Sequence, residues 1–209
     1  MAQQNRINKI ATDLDLDNLM LTDNEIQAVT GDLILATDGT NELKLQVGGS
    51  TYVDFFSSGA VSMPNQPSFF AYANAAVGNV TGAGVEVTVG YNTEKYDITN
   101  NYASNTFTAP ITGKYLFCTN VSYTGLTSLM VGLSLKLNTS NQAYQVFNNP
   151  WLSSAAGTSG SINFSCVTDM DSADTAYITF IIYGGASNTA DLQGTASTYS
   201  TYFSGHLIY

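Results

Sequence analysis

The residues able to do chemistry are few. One acidic run is "TDMDSADTA", which places Asp169, Asp171 and Asp174 within six residues. Calcium takes six to eight oxygens from several converging carboxylates, and this run lacks the glycine and distal glutamate of an EF-hand loop. A solvated turn between two strands is the better reading. Paired carboxylates can also serve a glycosidase. Asp13, Asp15 and Asp17 stand in an N-terminal stretch without sustained periodicity, and Glu94 and Asp97 stand in a turn-like segment, so neither set reads as catalytic. His206 is the sole histidine, with no local serine or cysteine arrangement that would make a triad. Cys118 and Cys166 both sit in apolar runs, "YLFCTNV" and "INFSCVT", and read as two buried free thiols. No catalytic, metal or cofactor site is expected.

Binding chemistry is better represented. The stretch Asn138 to Gly160, "NTSNQAYQVFNNPWLSSAAGTSG", sets Tyr144 and Trp151 among Asn148, Asn149 and other amides and hydroxyls. Such a mixture can stack on a sugar face and bond its hydroxyls, although Trp151 could equally pack as core or interface. A second polar stretch, "GGASNTADLQGTAS", runs from Gly184 to Ser197. Both are expected to be loops, where recognition residues concentrate.

Composition narrows the partners. Only 11% of the 209 residues are charged and the net charge is −10, which opposes a phosphate backbone and supplies no polybasic membrane patch. Gly, Ser, Thr, Asn and Tyr are abundant, the profile of a turn-rich β protein. No signal-peptide pattern opens the chain and no apolar run approaches a membrane span, so synthesis in a cytosol without membrane insertion is expected. The sequons at Asn120 and Asn163 fall in strand-like runs, which disfavours a eukaryotic secretory origin.

The elements that must position these residues divide the chain into three. Residues 1–18 read as an extended or locally helical arm. Residues 19–66 are a succession of short strands, "LMLT", "IQAV", "DLILAT", "ELKLQV", "TYVDFF" and "AVSM". They are too short and too poor in bulky residues for a core of their own, and would be stable where three copies meet on one axis. Pro64 and Pro67 break β-pairing and mark a boundary. Residues 67–209 hold eight to ten strand-like runs and no helix-period stretch, the mark of a sandwich or jelly roll. In "AYITFIIYG" both faces are apolar, Tyr177, Ile181 and Tyr183 on one and Ile178, Phe180 and Ile182 on the other. The second face is therefore expected to meet another subunit.

Two resemblances sharpen this reading. The run "LMLTDNEIQAVTGDLILATDGTNELKL" resembles a repeating element of tailed-phage fibre proteins, which implies a trimeric β-structured neck or shaft. The runs "PSFFAYAN", "YDITNNYASNTFTAPITGKYLF" and "STYFSGHLIY" resemble the C1q globular head and, more distantly, the tumour necrosis factor superfamily. That family's aromatic signature maps onto Phe69, Tyr102, Phe107, Pro110, Gly113, Tyr115 and Phe117, and its closing residues onto Phe203, Gly205 and Leu207. With Tyr183 these are the expected core and trimer residues. The resemblance implies an all-β, ten-stranded jelly-roll knob that assembles as a homotrimer. No Gly-X-Y stalk precedes it, and the fibre-like segment in its place turns the expectation towards a phage. The expected function is a non-enzymatic virion-surface fibre protein, made in the bacterial cytoplasm. Its arm would bind the tail or capsid, and its knob a host-surface glycan or protein. The alternative is a capsid decoration or head-fibre protein with little or no receptor binding.

Overall fold

The run Gly113–Thr124, "GKYLFCTNVSYT", alternates large or core-seeking side chains with small and polar ones, and that period of two decides the architecture. Tyr115, Phe117, Thr119, Val121 and Tyr123 are buried, and the intervening residues are partly exposed. The computed structural model describes residues 43–149 and 159–209. Among these residues there are strands and turns but no helix. The neck segments upstream of Leu43, the arm, and Trp151 lie outside the described residues.

A three-stranded antiparallel meander comes first: β1 (Leu43–Val47), β2 (Ser50–Phe55) and β3 (Val61–Ser62). Gly48 and Gly49 turn the β1–β2 hairpin with φ of 58° and 82°, values a side chain would resist. Lys44 pairs with Asp54 across it at 3.4 Å. Two hydrogen bonds tie the segment just after the meander to the C-terminal end of the chain. Gln66 Nε2 donates to the Leu207 carbonyl at 2.6 Å, and Leu207 N–H donates to that of Pro67 at 3.0 Å.

Two sheets form the sandwich. The first contains β4 (Ser68–Tyr72), β5 (Val77–Thr81), β7 (Thr93–Ile98), β10 (Gly113–Thr124), β13 (Gly160–Met170), β15 (Ala190–Gln193) and β16 (Tyr202–Leu207). β13 runs along the whole of one side of β10, while β16 and then β15 share the other. The second sheet contains β6 (Val87–Thr88), β8 (Tyr102–Ala103), β9 (Thr106–Thr108), β11 (Gly132–Thr139), β12 (Ala143–Asn148) and β14 (Thr175–Tyr183). Its order is β12-β11-β14-β9-β8, with β6 paired to the far end of β14. All pairings are antiparallel, and the chain crosses between sheets on leaving β5, β6, β7, β9, β10, β12, β13 and β14, the winding of a jelly roll.

The core lies between the sheets and is aromatic at one end and aliphatic at the other. Phe69 stacks on Tyr102 and Phe107 at 4.8 and 5.0 Å and meets Phe203 edge-on at 5.0 Å. Such pairs add about 0.5–1.5 kcal/mol each beyond the area they bury. Leu133, Leu135, Leu137, Ile178, Phe180 and Ile182 fill the other end with no exposed surface. The expected apolar second face of β14 is modified by the structure. Ile181 is only 7% exposed, whereas Tyr183 is 37% exposed, so one end of that face is open rather than all of it.

Candidate functional site

The signature aromatics resolve into one group and one exception. Phe69, Phe107, Tyr115, Phe117, Phe203 and Leu207 point between the sheets and are at most 8% exposed, so they build the core of a single chain. Gly205 belongs with them, because a Cβ there would lie 2.6 Å from the Phe117 ring and 2.8 Å from that of Phe69. Tyr183 is the exception and faces outward.

Of the reactive residues, several carboxylates are held by nearby partners. Asp169, Asp171 and Asp174 lie in and beside the tight turn between β13 and β14. Asp174 Oδ2 accepts from the Asp171 N–H and from Asn141 Nδ2, both at 2.9 Å, and Asp169 pairs with Lys114. The Lys114 ammonium is held above its usual range by that bond. Among the described residues no group of three His, Cys, Asp or Glu could hold a metal ion. Asp97 is committed to the backbone, its carboxylate accepting from the N–H groups of Asn101 and Tyr102 at 3.1 and 2.9 Å. His206 is exposed on β16. Cys118 and Cys166 are free and half-buried rather than fully buried. Cys166 stands opposite Phe117 and Cys118 opposite Ser165, so the thiols face opposite sides of the sheet and cannot join. Burial pushes the Cys166 thiol up to about 11 and raises that of Cys118.

The residues expected to bind a receptor are placed differently from the reading of a loop. Tyr144 and Asn148 belong to β12, an edge strand, because Leu137 and Leu133 of β11 pair with them. Tyr144 is half-buried, and its hydroxyl bonds Thr168 at 2.9 Å and Gln142 at 2.6 Å, so its work is structural. Asn148 and Asn149 are exposed. The second polar stretch likewise contains a strand, β15, whose Leu192 is buried.

Two outward-facing aromatic groups emerge, of whose members the sequence singles out only Tyr183. On the first sheet, Phe70 and Tyr72 of β4, Tyr96 of β7 and Tyr202 of β16 gather with Tyr199. Phe70 lies 5.3 Å from Tyr202 and 6.2 Å from Tyr96, Tyr72 lies 4.7 Å from Tyr199, and the Lys95 ammonium stands 4.8 Å over the Tyr199 ring. On the second sheet, Phe147 of β12 approaches Tyr183 of β14 at 6.4 Å. The period of two puts the strand residues among these on the opposite face from the core set, and it is the only signal that could have found them.

A groove of about 460 Å³ lined by Val61, Met63, Gln66, Ser68, His206 and Leu207 connects the meander to the outer face of the first sheet. A wider, mainly apolar cleft of about 830 Å³, which shares Met63, Gln66 and Leu207 with it, lies between Tyr52, Val53 and Met63 of the meander region and Pro110, Ile111 and Ile208 of the sandwich. Among the described residues no helix is long and apolar enough to cross a membrane.

No protein-family model matches the sequence. No curated protein matches it. Among solved structures, the globular domain of zebrafish complement 1qA protein is similar to this chain, with 18% identity, coverage of 69% of this chain and 98% of that one, and a TM-score of 0.48.

Proposed function

We propose that the protein is a non-enzymatic fibre component of a phage virion. It acts as a homotrimer, docked on the particle through residues 1–18 and presenting its jelly roll as a terminal knob to a host-surface glycan or protein. The observation that carries this reading is the uncovered apolar surface of the meander. Leu45, Val47, Tyr52, Phe55, Val61 and Met63 are each 40% exposed or more, and Asp54 is the only buried residue of β1–β3. A segment whose apolar side chains point largely to water gains little from folding as one copy; three copies supply one another's missing core. The aromatic face of the first sheet adjoins this surface across the groove at Met63 and His206, which continues the same association onto the knob. The fibre-like run of residues 19–45 supports the setting of a virion.

Sedimentation of the full chain tests assembly: a species of three 22.2 kDa chains is expected at micromolar concentration, and a well-folded monomer would overturn the reading. Antibodies raised against residues 67–209 should decorate virions and block adsorption to the host. Virions decorated without any loss of adsorption would favour a shell-decorating role over recognition.

A further inference from the structure

We propose that Phe147 and Tyr183 form a binding platform for the flat face of a neutral hexopyranose, an inference that rests on the recognition reading and names the ligand class. The register places both rings on the outer side of the second sheet. Ser134 of β11 stands opposite Phe147, and Gly132 of the same strand stands opposite Tyr183, so the rings rise from β12 and β14 with a glycine on the strand between them. Two strands apart, side chains start roughly 10 Å from each other. The ring centroids are nevertheless only 6.4 Å apart, because Phe147 lies down over Gly132. A Cβ at Gly132 would meet the Phe147 ring at 2.6 Å. The absence of a side chain therefore lets one ring lean towards the other, and the two planes, inclined at 40°, form a shallow aromatic floor.

That floor is open: Phe147 is 60% exposed and Tyr183 37%. Its surroundings can bond hydroxyls without adding charge. Gln145, next along the same face of β12, donates to Ser134 Oγ at 2.6 Å, which orients its amide beside the ring. The nearest ions along that face, Lys136 and Glu86, are joined at 2.8 Å, and Glu86 also accepts from the Thr179 hydroxyl at 2.6 Å. With these charges satisfied and a chain of net −10, an anionic sugar would be repelled without a compensating cation, whereas the apolar face of an uncharged pyranose is matched by the rings. The platform faces away from the aromatic surface of the first sheet, on the other side of the sandwich, so association through that surface leaves it accessible.

The experiment presents the full chain to immobilised oligosaccharides of neutral hexopyranoses and to the same backbones bearing carboxylates or sulfates. Retention on at least one neutral glycan is expected. Phe147→Ala and Tyr183→Ala should each weaken it at least tenfold with circular dichroism and sedimentation unchanged, while Tyr183→Phe stays within about threefold. Undiminished binding by both alanine variants, preference for the charged glycans, or no retention at all would overturn the platform. Adsorption to bacterial cells separates this from the broader reading. Wild-type chain that adsorbs to cells treated with periodate but not with protease recognises a protein, which sinks the platform and leaves recognition standing. Chain that adsorbs to no cell sinks both.

Discussion

Gly205 and Tyr91 show how much of this fold is decided by single atoms. Gly205 sits on β16 with the Phe117 and Phe69 rings closed over it, so Gly205→Ala inserts a methyl where a Cβ would stand 2.6 Å from ring carbons. Overpacking of this kind costs about 1–3 kcal/mol, and a thermal transition lowered by several degrees is expected in calorimetry. A melting point equal to wild type would mean that the rings yield more readily than their packing implies. Tyr91 is 1% exposed and bonds the Thr119 hydroxyl at 3.0 Å. Burial raises its phenol, and that of Tyr102, well above the ordinary value of 10.0. A folded-state value above the unfolded one gives stability that is complete below the unfolded value and declines as pH rises beyond it. The unfolded chain releases these protons first. The urea midpoint should therefore begin to fall above about pH 10 and fall less steeply in Tyr91→Phe. Identical slopes for the two proteins above that pH would remove Tyr91 from the account.

Among the elements, the long strands and the short strands of the meander were legible, whereas β5, β12 and β15 were not. β10, β13 and β16 announce themselves because each alternates over six to twelve residues against the core, and β14 because its nine-residue run is apolar on both faces. β12 was hidden inside a stretch read as loop, because its flanks, "NTSNQ" and "NNP", are polar turn residues and its outward side chains, Gln145 and Phe147, do not share one character. β5 and β15 carry few large side chains and form only by pairing with each other and with β10. "GVEVTVG" looked like a full strand; only Val87 and Thr88 form a ladder with β14, while the Gly84 and Val89 N–H groups on either side donate to the Ile182 and Ile178 carbonyls at 2.9 and 3.0 Å. The meander separates sequence expectation from packing most clearly: its alternation is real, yet no apolar residue of β1–β3 is buried. The isolated segment 19–66 should accordingly give a disordered circular dichroism spectrum, whereas 67–209 should melt cooperatively. A cooperative transition in the shorter fragment would place the stability of the assembly in the neck instead.

At the scale of the molecule, what sequence could not decide was which face of each sheet looks inward. The period of two groups Phe69 with Ala71 and Phe70 with Tyr72, but both groups are apolar, and only the approach of the second sheet selects the first as core. The C1q-type signature was expected to mark core and trimer axis together; its seven bulky members are all claimed by the core, and the outward aromatics left over on the first sheet are Phe70, Tyr72, Tyr96, Tyr199 and Tyr202. This division makes two substitutions on neighbouring strands behave differently. Phe203→Asp puts an unpaired charge at a position with no exposed surface and should abolish folding, leaving aggregated or disordered chain. Phe70→Asp puts the same charge on the outer face, among half-buried rings, and should spare the sandwich while weakening association. Sedimentation and circular dichroism measured together give the outcome: native β signal with a smaller mass for Phe70→Asp, and loss of both for Phe203→Asp. A Phe70→Asp protein of undiminished mass would show that the copies meet elsewhere, with the apolar cleft between the meander and Ile111 and Ile208 the next surface to test.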